Sequence, residues 1–209
     1  MKPALLLIDV QNDFLRAPEL APSTTEFVRG AARLLDGCRG LALPVVHIWT
    51  TVRREDDRRM PHWVREDKWM CVAGTEGHAT PVRLRPRLGE AVVNKTFFSA
   101  FHTGELAHVL GAIACDAVVL AGLYEHACVR TTAIDAYQTG LEVWIAADAV
   151  ASNDAAHAAI TRRYLSDRAA RYATVESLLN AIGGSCIPVH RSPVRAKELP
   201  TAARIEQAG

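Results

Sequence analysis

Apolar residues along this chain fall into short unbroken runs, separated by stretches in which they recur every three or four positions. The runs ALLLIDV (4–10), PVVHIWT (44–50), AVVN (91–94), AVVLAGL (117–123) and LEVWIAADAV (141–150) read as strands buried on both faces, with RYAT (171–174) as a short last one. Helical spacing is found over 24–40, where Phe27, Ala31, Leu34 and Leu35 share a face, and over 105–114, 127–138, 154–167 and 175–182. Residues 51–90 keep neither period. They are rich in charge, proline and tryptophan, and read as irregular. Alternating buried strands and helices of ten or so residues predict an α/β fold, a doubly wound parallel sheet covered on both faces. One domain is expected over 1–184. A C-terminal extension, 185–209, has three prolines and weak periodicity, and reads as an arm on a neighbouring subunit or a disordered segment.

Composition narrows the classes. The 209 residues are 49% apolar and 22% charged, with a net charge of +1, so no broad field attracts nucleic acid or an anionic membrane. No apolar run approaches the roughly 20 residues of a membrane span. The opening MKPALLLIDV is broken by Asp9 and the polar QND, unlike a signal peptide. Five cysteines, odd in number and without a CxxC, suggest reduced thiols in the cytoplasm rather than a zinc site or a disulfide framework. The arginines at 53, 54, 58, 59 and 65 are interleaved with acids, which suggests a charged loop or helix face before it suggests anion recognition.

In a parallel sheet of this kind, ligands bind beyond the carboxyl ends of the strands. Three such ends carry reactive groups. Asp9 closes the first run, as either a turn cap or a working carboxylate. Lys95 follows the third, beside Phe97, Phe98 and Phe101. It either snorkels over them or serves as a site cation. Cys128 follows the fourth, in LAGLYEHACVRTTAIDAY, where Gly122 permits a tight exit and a helix begins. Free N–H groups and the partial positive charge of a helix N-terminus lower a thiol's pKa and can hold an oxyanion. The alternative is a packing thiol, the role expected for Cys38 and Cys115. A carboxylate, an ammonium and a thiol at three strand ends together form a plausible nucleophilic set.

Four stretches in order, LLLIDVQNDF, CVAGTEG, VVNKTFFSAF and LAGLYEHACVRTTAIDAYQTG, resemble the marks of the isochorismatase-like cysteine hydrolase superfamily, over roughly residues 3–182. That superfamily includes nicotinamidases, N-carbamoylsarcosine and ureidoacrylate amidohydrolases, and isochorismatases. The resemblance implies a six-stranded doubly wound sheet, a triad of Asp9, Lys95 and Cys128, and a cis peptide at Leu123–Tyr124. It also implies an oxyanion hole from the amides of Tyr124 and Cys128. Isochorismatases, which cleave a vinyl ether, lack the cysteine, so Cys128 favours acyl chemistry on a small amide or ureide through a thioester. Ether or ester hydrolysis, or a non-catalytic member of the fold, are the alternatives. Nicotinamidases bind a metal through an Asp-x-His and a further His. Here Asp57 and His62 do not reproduce that motif, so no metal is expected, and no organic cofactor is implied.

Pocket candidates are Arg54, Trp63, Trp69, Phe97, Tyr124 and His126, with the 51–70 segment as lid or contact region. His47 reads as a hydrogen-bonded core residue, while His62, His78 and His102 could serve either role. Thr131, Thr132 and Asp135 should brace the nucleophile helix, and Asp148 closes strand five. A small-molecule substrate and a homo-oligomer, dimer or tetramer, are the implied partners.

Overall fold

The computed structural model describes residues 2–184. Strands β1 (Pro3–Ile8), β2 (Val45–Thr50), β3 (Ala91–Lys95), β4 (Ala117–Leu123), β5 (Glu142–Ala151) and β6 (Arg171–Ala173) form one six-stranded sheet, every adjacent pair parallel, in the order β3-β2-β1-β4-β5-β6. Helices are α1 (Asn12–Leu15), α2 (Thr24–Gly40), α3 (Pro61–Arg65), α4 (Glu105–Ala112), α5 (Arg130–Gln138), α6 (Ala155–Ser166) and α7 (Val175–Gly183). The expectation for residues 185–209 lies outside the described residues. No helix among the described residues is long and apolar enough to cross a membrane.

The strand pleat explains the unbroken apolar runs. Leu5 and Leu7 of β1 point into a core with α2 and α7, while Ala4, Leu6 and Ile8 point into a second core with α4, α5 and α6. Each large side chain so buried contributes about 1.5–3 kcal/mol. Ser23 starts α2 with a reciprocal capping box to Glu26. Gly30 lets that helix lie against β5, since a Cβ there would sit 2.0 Å from the Asp148 carbonyl oxygen. Gly122 serves β4 in the same way. It has φ +129°, and a Cβ would come within 1.9 Å of the Ile8 carbonyl oxygen.

Several boundaries differ from the sequence reading. β1 stops at Ile8 because Asp9 turns into left-handed backbone, φ 53°, at a cost on the order of 1–3 kcal/mol. β3 runs on through Lys95. The 51–90 stretch, expected to be irregular, holds α3 and a single 3-10 turn, Val82–Leu84; Pro61 at the first turn of α3 supplies a preset φ. β5 continues past Asp148 to Ala151 through an irregularity in its pairing with β4. Asp148 does not end the strand; it accepts the Val175 N–H at the start of α7, at 2.7 Å. The helical path after β4 begins two residues early, with a π-helical turn, Glu125–Val129, before α5.

This strand order places β1 and β4 side by side at the point where the winding reverses direction. A crevice opens there at the carboxyl edge of the sheet. Asp9 follows β1 and Cys128 lies five residues past β4, on opposite sides of that crevice.

Candidate active site

Register assembles the polar centre. β2 pairs with β3 so that Thr50 lies opposite Lys95, and β1 pairs with β2 so that Asp9 follows the Ile8–Ile48 step. Asp9 Oδ2 accepts from Lys95 Nζ at 2.7 Å, with both side chains at 0% exposure. Asp9 Oδ1 accepts from the N–H and the hydroxyl of Thr50, each at 2.9 Å. Lys95 Nζ also donates to Thr50 Oγ1 at 2.8 Å and towards Cys128 Sγ at 3.5 Å. An ammonium has three protons, and here each has an acceptor: a carboxylate, a hydroxyl and the thiol.

Thr50 was not singled out in the sequence, although it ends a strand on the carboxyl edge. Neither was Gln11, buried beneath it. Gln11 Oε1 accepts from Thr50 N–H, and its Nε2 donates to the Thr50 and His78 carbonyls, all at 2.9 Å. Asp13 was passed over too; it accepts the Cys71 N–H at 2.7 Å. The polar QND after β1 was the available signal for Gln11 and Asp13.

Electrostatics correct one expectation. Burial pushes the Cys128 thiol up to about 12, with Lys95 opposing the rise and Asp9 adding to it. Burial, the largest cause, disfavours a resting thiolate at this position. Burial also opposes the charge of Lys95, but Asp9 and Cys128 beside it outweigh that cost and hold its pKa above the ordinary value. The resting centre is therefore a carboxylate, an ammonium and a neutral thiol, with no net charge. Transfer of the thiol proton to Asp9 keeps that sum unchanged. A consequence can be measured: without substrate, iodoacetamide labelling of Cys128 should keep accelerating with pH past about 9. A plateau between about pH 6 and 8 would mean that a thiolate is already present.

Around the thiol, the Leu123–Tyr124 peptide is cis. The Tyr124 carbonyl accepts the N–H groups of Ala127 (3.0 Å) and Val129 (3.2 Å), and neither bond uses that of Cys128 between them. Glu125, buried at the start of the turn, is held by Arg162 of α6 through two bonds of 3.0 and 2.9 Å. Thr132 Oγ1 accepts the Ala100 N–H at 3.1 Å, and Asp135 pairs with Ser99. These contacts tie α5 to the segment after β3, while Thr131 bonds back to the Ala127 carbonyl at 2.9 Å.

A cavity of about 940 Å³ opens onto Cys128. Phe14, Trp63, Phe98, Tyr124, Met60 and Met70 form apolar walls, and Asp13, His62, Lys68, His126, Arg130 and Asn153 add polar groups. Its size and lining suit a small molecule. Phe14 meets Tyr124 edge-on at 5.6 Å, and His62 stacks on Phe98 at 5.9 Å.

Of the six pocket candidates, Trp63, Tyr124 and His126 line this cavity and Arg54, Trp69 and Phe97 do not. The Trp69 ring is instead covered by the guanidiniums of Arg54 (4.6 Å) and Arg59 (3.7 Å), which pin the charged segment. Phe97 packs against His102 at 4.7 Å, and its neighbour Phe98 takes the wall position. Asp57 pairs with Arg59 at 2.8 Å, and no group of three or more His, Cys, Asp or Glu among the described residues could hold a metal ion. His47 is buried in β2 and bonds Glu90 at 2.9 Å.

Residues 3–177 match the family model described as the isochorismatase domain. The chain is 36% identical to maleamate amidohydrolase of Pseudomonas putida over 159 residues, covering 71% of this chain and 72% of that protein. It is 30% identical over 151 residues to a secreted isochorismatase effector of Verticillium dahliae, covering 72% of this chain and 73% of that protein. Among solved structures, N-carbamoylsarcosine amidase from Thermoplasma acidophilum matches with a TM-score of 0.72 at 29% identity, covering 84% of this chain and 98% of that one.

Proposed function

The chain belongs to the isochorismatase family of hydrolases, and from that premise we propose that it is a cysteine amidohydrolase acting on the C–N bond of a small amide or ureide. The observation that carries the reading is the Lys95 ammonium, bonded to the Asp9 carboxylate and to the Cys128 sulfur at once. The likeness to maleamate amidohydrolase and to N-carbamoylsarcosine amidase supports an amide-type bond.

In this reading Cys128 Sγ attacks the substrate carbonyl as its proton passes to Asp9. Lys95 stays charged and steadies the sulfur as it loses the proton. The N–H groups of Tyr124 and Cys128 hold the oxyanion. The tetrahedral adduct then collapses, the C–N bond breaks, and Asp9 gives its proton to the departing amine. A thioester remains on Cys128. Asp9, again ionised, takes a proton from water, which attacks the thioester carbonyl. The acid leaves, and the sulfur recovers its proton from Asp9. An amide yields ammonia and a carboxylic acid; a ureide yields ammonia and a carbamate.

Vinyl-ether hydrolysis is the runner-up, supported by the likeness to an isochorismatase effector. A thiol at the cavity floor counts against it, because an ether offers no acyl carbon to attack. Ammonia release from maleamate, succinamate, nicotinamide and carbamoyl amino acids tests the reading. Release from a panel member is the expected result. No release from any member, with turnover of a vinyl ether instead, would replace it with the runner-up.

A further inference from the structure

His126 stands two residues before Cys128, and its ring forms part of the cavity wall. Its Nδ1 lies 2.5 Å from Ser152 Oγ, just past β5. That hydroxyl also lies 3.0 Å from the Asp154 carbonyl oxygen and accepts the Asp154 N–H at 3.1 Å. With its proton assigned to the carbonyl, which can only accept, the hydroxyl oxygen faces His126 as an acceptor and the ring proton is assigned to Nδ1. Asp154 is itself fixed: it caps α6 by accepting the His157 N–H at 2.8 Å, and it pairs with His157 Nδ1 at 2.6 Å. On the other side, the Tyr124 ring lies parallel to the imidazole, 5° apart in plane and 5.8 Å between centres.

Burial lowers the His126 pKa, with Asp154 and Glu125 opposing the drop and His157 adding to it, so the ring is neutral at neutral pH. A neutral imidazole protonated on Nδ1 has only a lone pair on Nε2. Since Nδ1 is turned to Ser152, Nε2 is the ring nitrogen left for a molecule in the cavity.

We propose that His126 is a specificity-determining residue whose Nε2 accepts a hydrogen bond from a substrate N–H, selecting amides and ureides over esters and ethers of the same shape. An ester or ether oxygen at that place would set lone pair against lone pair, a repulsive element as well as a lost bond. Ser152 is the positioning residue: it fixes the tautomer and the tilt of the ring. The inference rests on the amidohydrolase reading, to which it adds how the site recognises its bond.

The test uses the full chain, with the best amide of the panel and the methyl ester of the same acid as paired probes. His126→Phe keeps the ring against Tyr124 and removes the acceptor; His126→Gln returns a side-chain oxygen near the Nε2 position. Phenylalanine is expected to lower kcat/KM for the amide by about 10- to 100-fold and leave the ester unchanged or raised by up to about 3-fold, and glutamine to restore part of the amide rate. Ser152→Ala should lower the amide-to-ester ratio in the same direction. Equal losses on both probes, or an unchanged ratio in His126→Phe, would overturn the proposal while leaving the amidohydrolase reading intact. A wild-type chain that releases no ammonia from any panel member would overturn that reading itself.

Discussion

Cys128→Ala is expected to abolish amide hydrolysis, lowering kcat/KM by about 10⁴-fold or more, the scale typical of removing a nucleophile that acts as part of a concerted set. The fold should survive. The residue is small, only 6% exposed, and Asp9, Thr50 and Lys95 keep their mutual bonds without it. Near-wild-type denaturation together with lost turnover, measured by ammonia release, is the signature. Cys128→Ser should be nearly as inactive, since its hydroxyl is far less acidic than the thiol and Asp9 would have to remove a more tightly held proton. A variant that retained turnover would sink the thioester mechanism and leave the Asp9–Lys95 pair to act as acid and cation alone.

The second large effect concerns stability as well as rate. Lys95→Met leaves the Asp9 carboxylate buried with no cation beside it, held by the Thr50 donors and the Cys128 thiol, and breaking one half of a buried ion pair costs about 3–5 kcal/mol. The double variant Asp9→Asn with Lys95→Met removes both charges at similar volume. It should regain much of that loss, while neither variant hydrolyses substrate. Urea unfolding of the two variants beside wild type measures this directly. If the single variant were as stable as wild type, the pair would not be sealed from water, and the neutral resting thiol would lose its physical basis as well.

Much of this arrangement was legible in local pattern. The unbroken apolar runs that became β1 and β4 read as strands buried on both faces. The reactive residues at their carboxyl ends then had one crevice to share. Thr50 was not legible, because a β-branched residue in a strand is unremarkable until the β2–β3 register sets it opposite Lys95. The 51–70 segment misled for a related reason: whether Trp63 or Trp69 faces the cavity depends on Arg54 and Arg59 gripping the latter, a contact without a periodic signature. Depth was not legible either: a helix start is visible in the sequence, but the burial that raises the Cys128 thiol's pKa is a property of the packed molecule.

The reversal of winding between β1 and β4 has a further consequence. The carboxylate, the threonine and the ammonium all hang from the half of the sheet built by β1, β2 and β3, while the thiol, Tyr124 and His126 follow β4. The cavity is a seam between these halves, and whatever fills it is stitched to both. Occupancy should therefore register as resistance to heat: a molecule held at a hundred times its Kd adds about 2.7 kcal/mol to the folded state. The melting curve then becomes a catalogue of what fits the seam, readable even for molecules the thiol never cleaves.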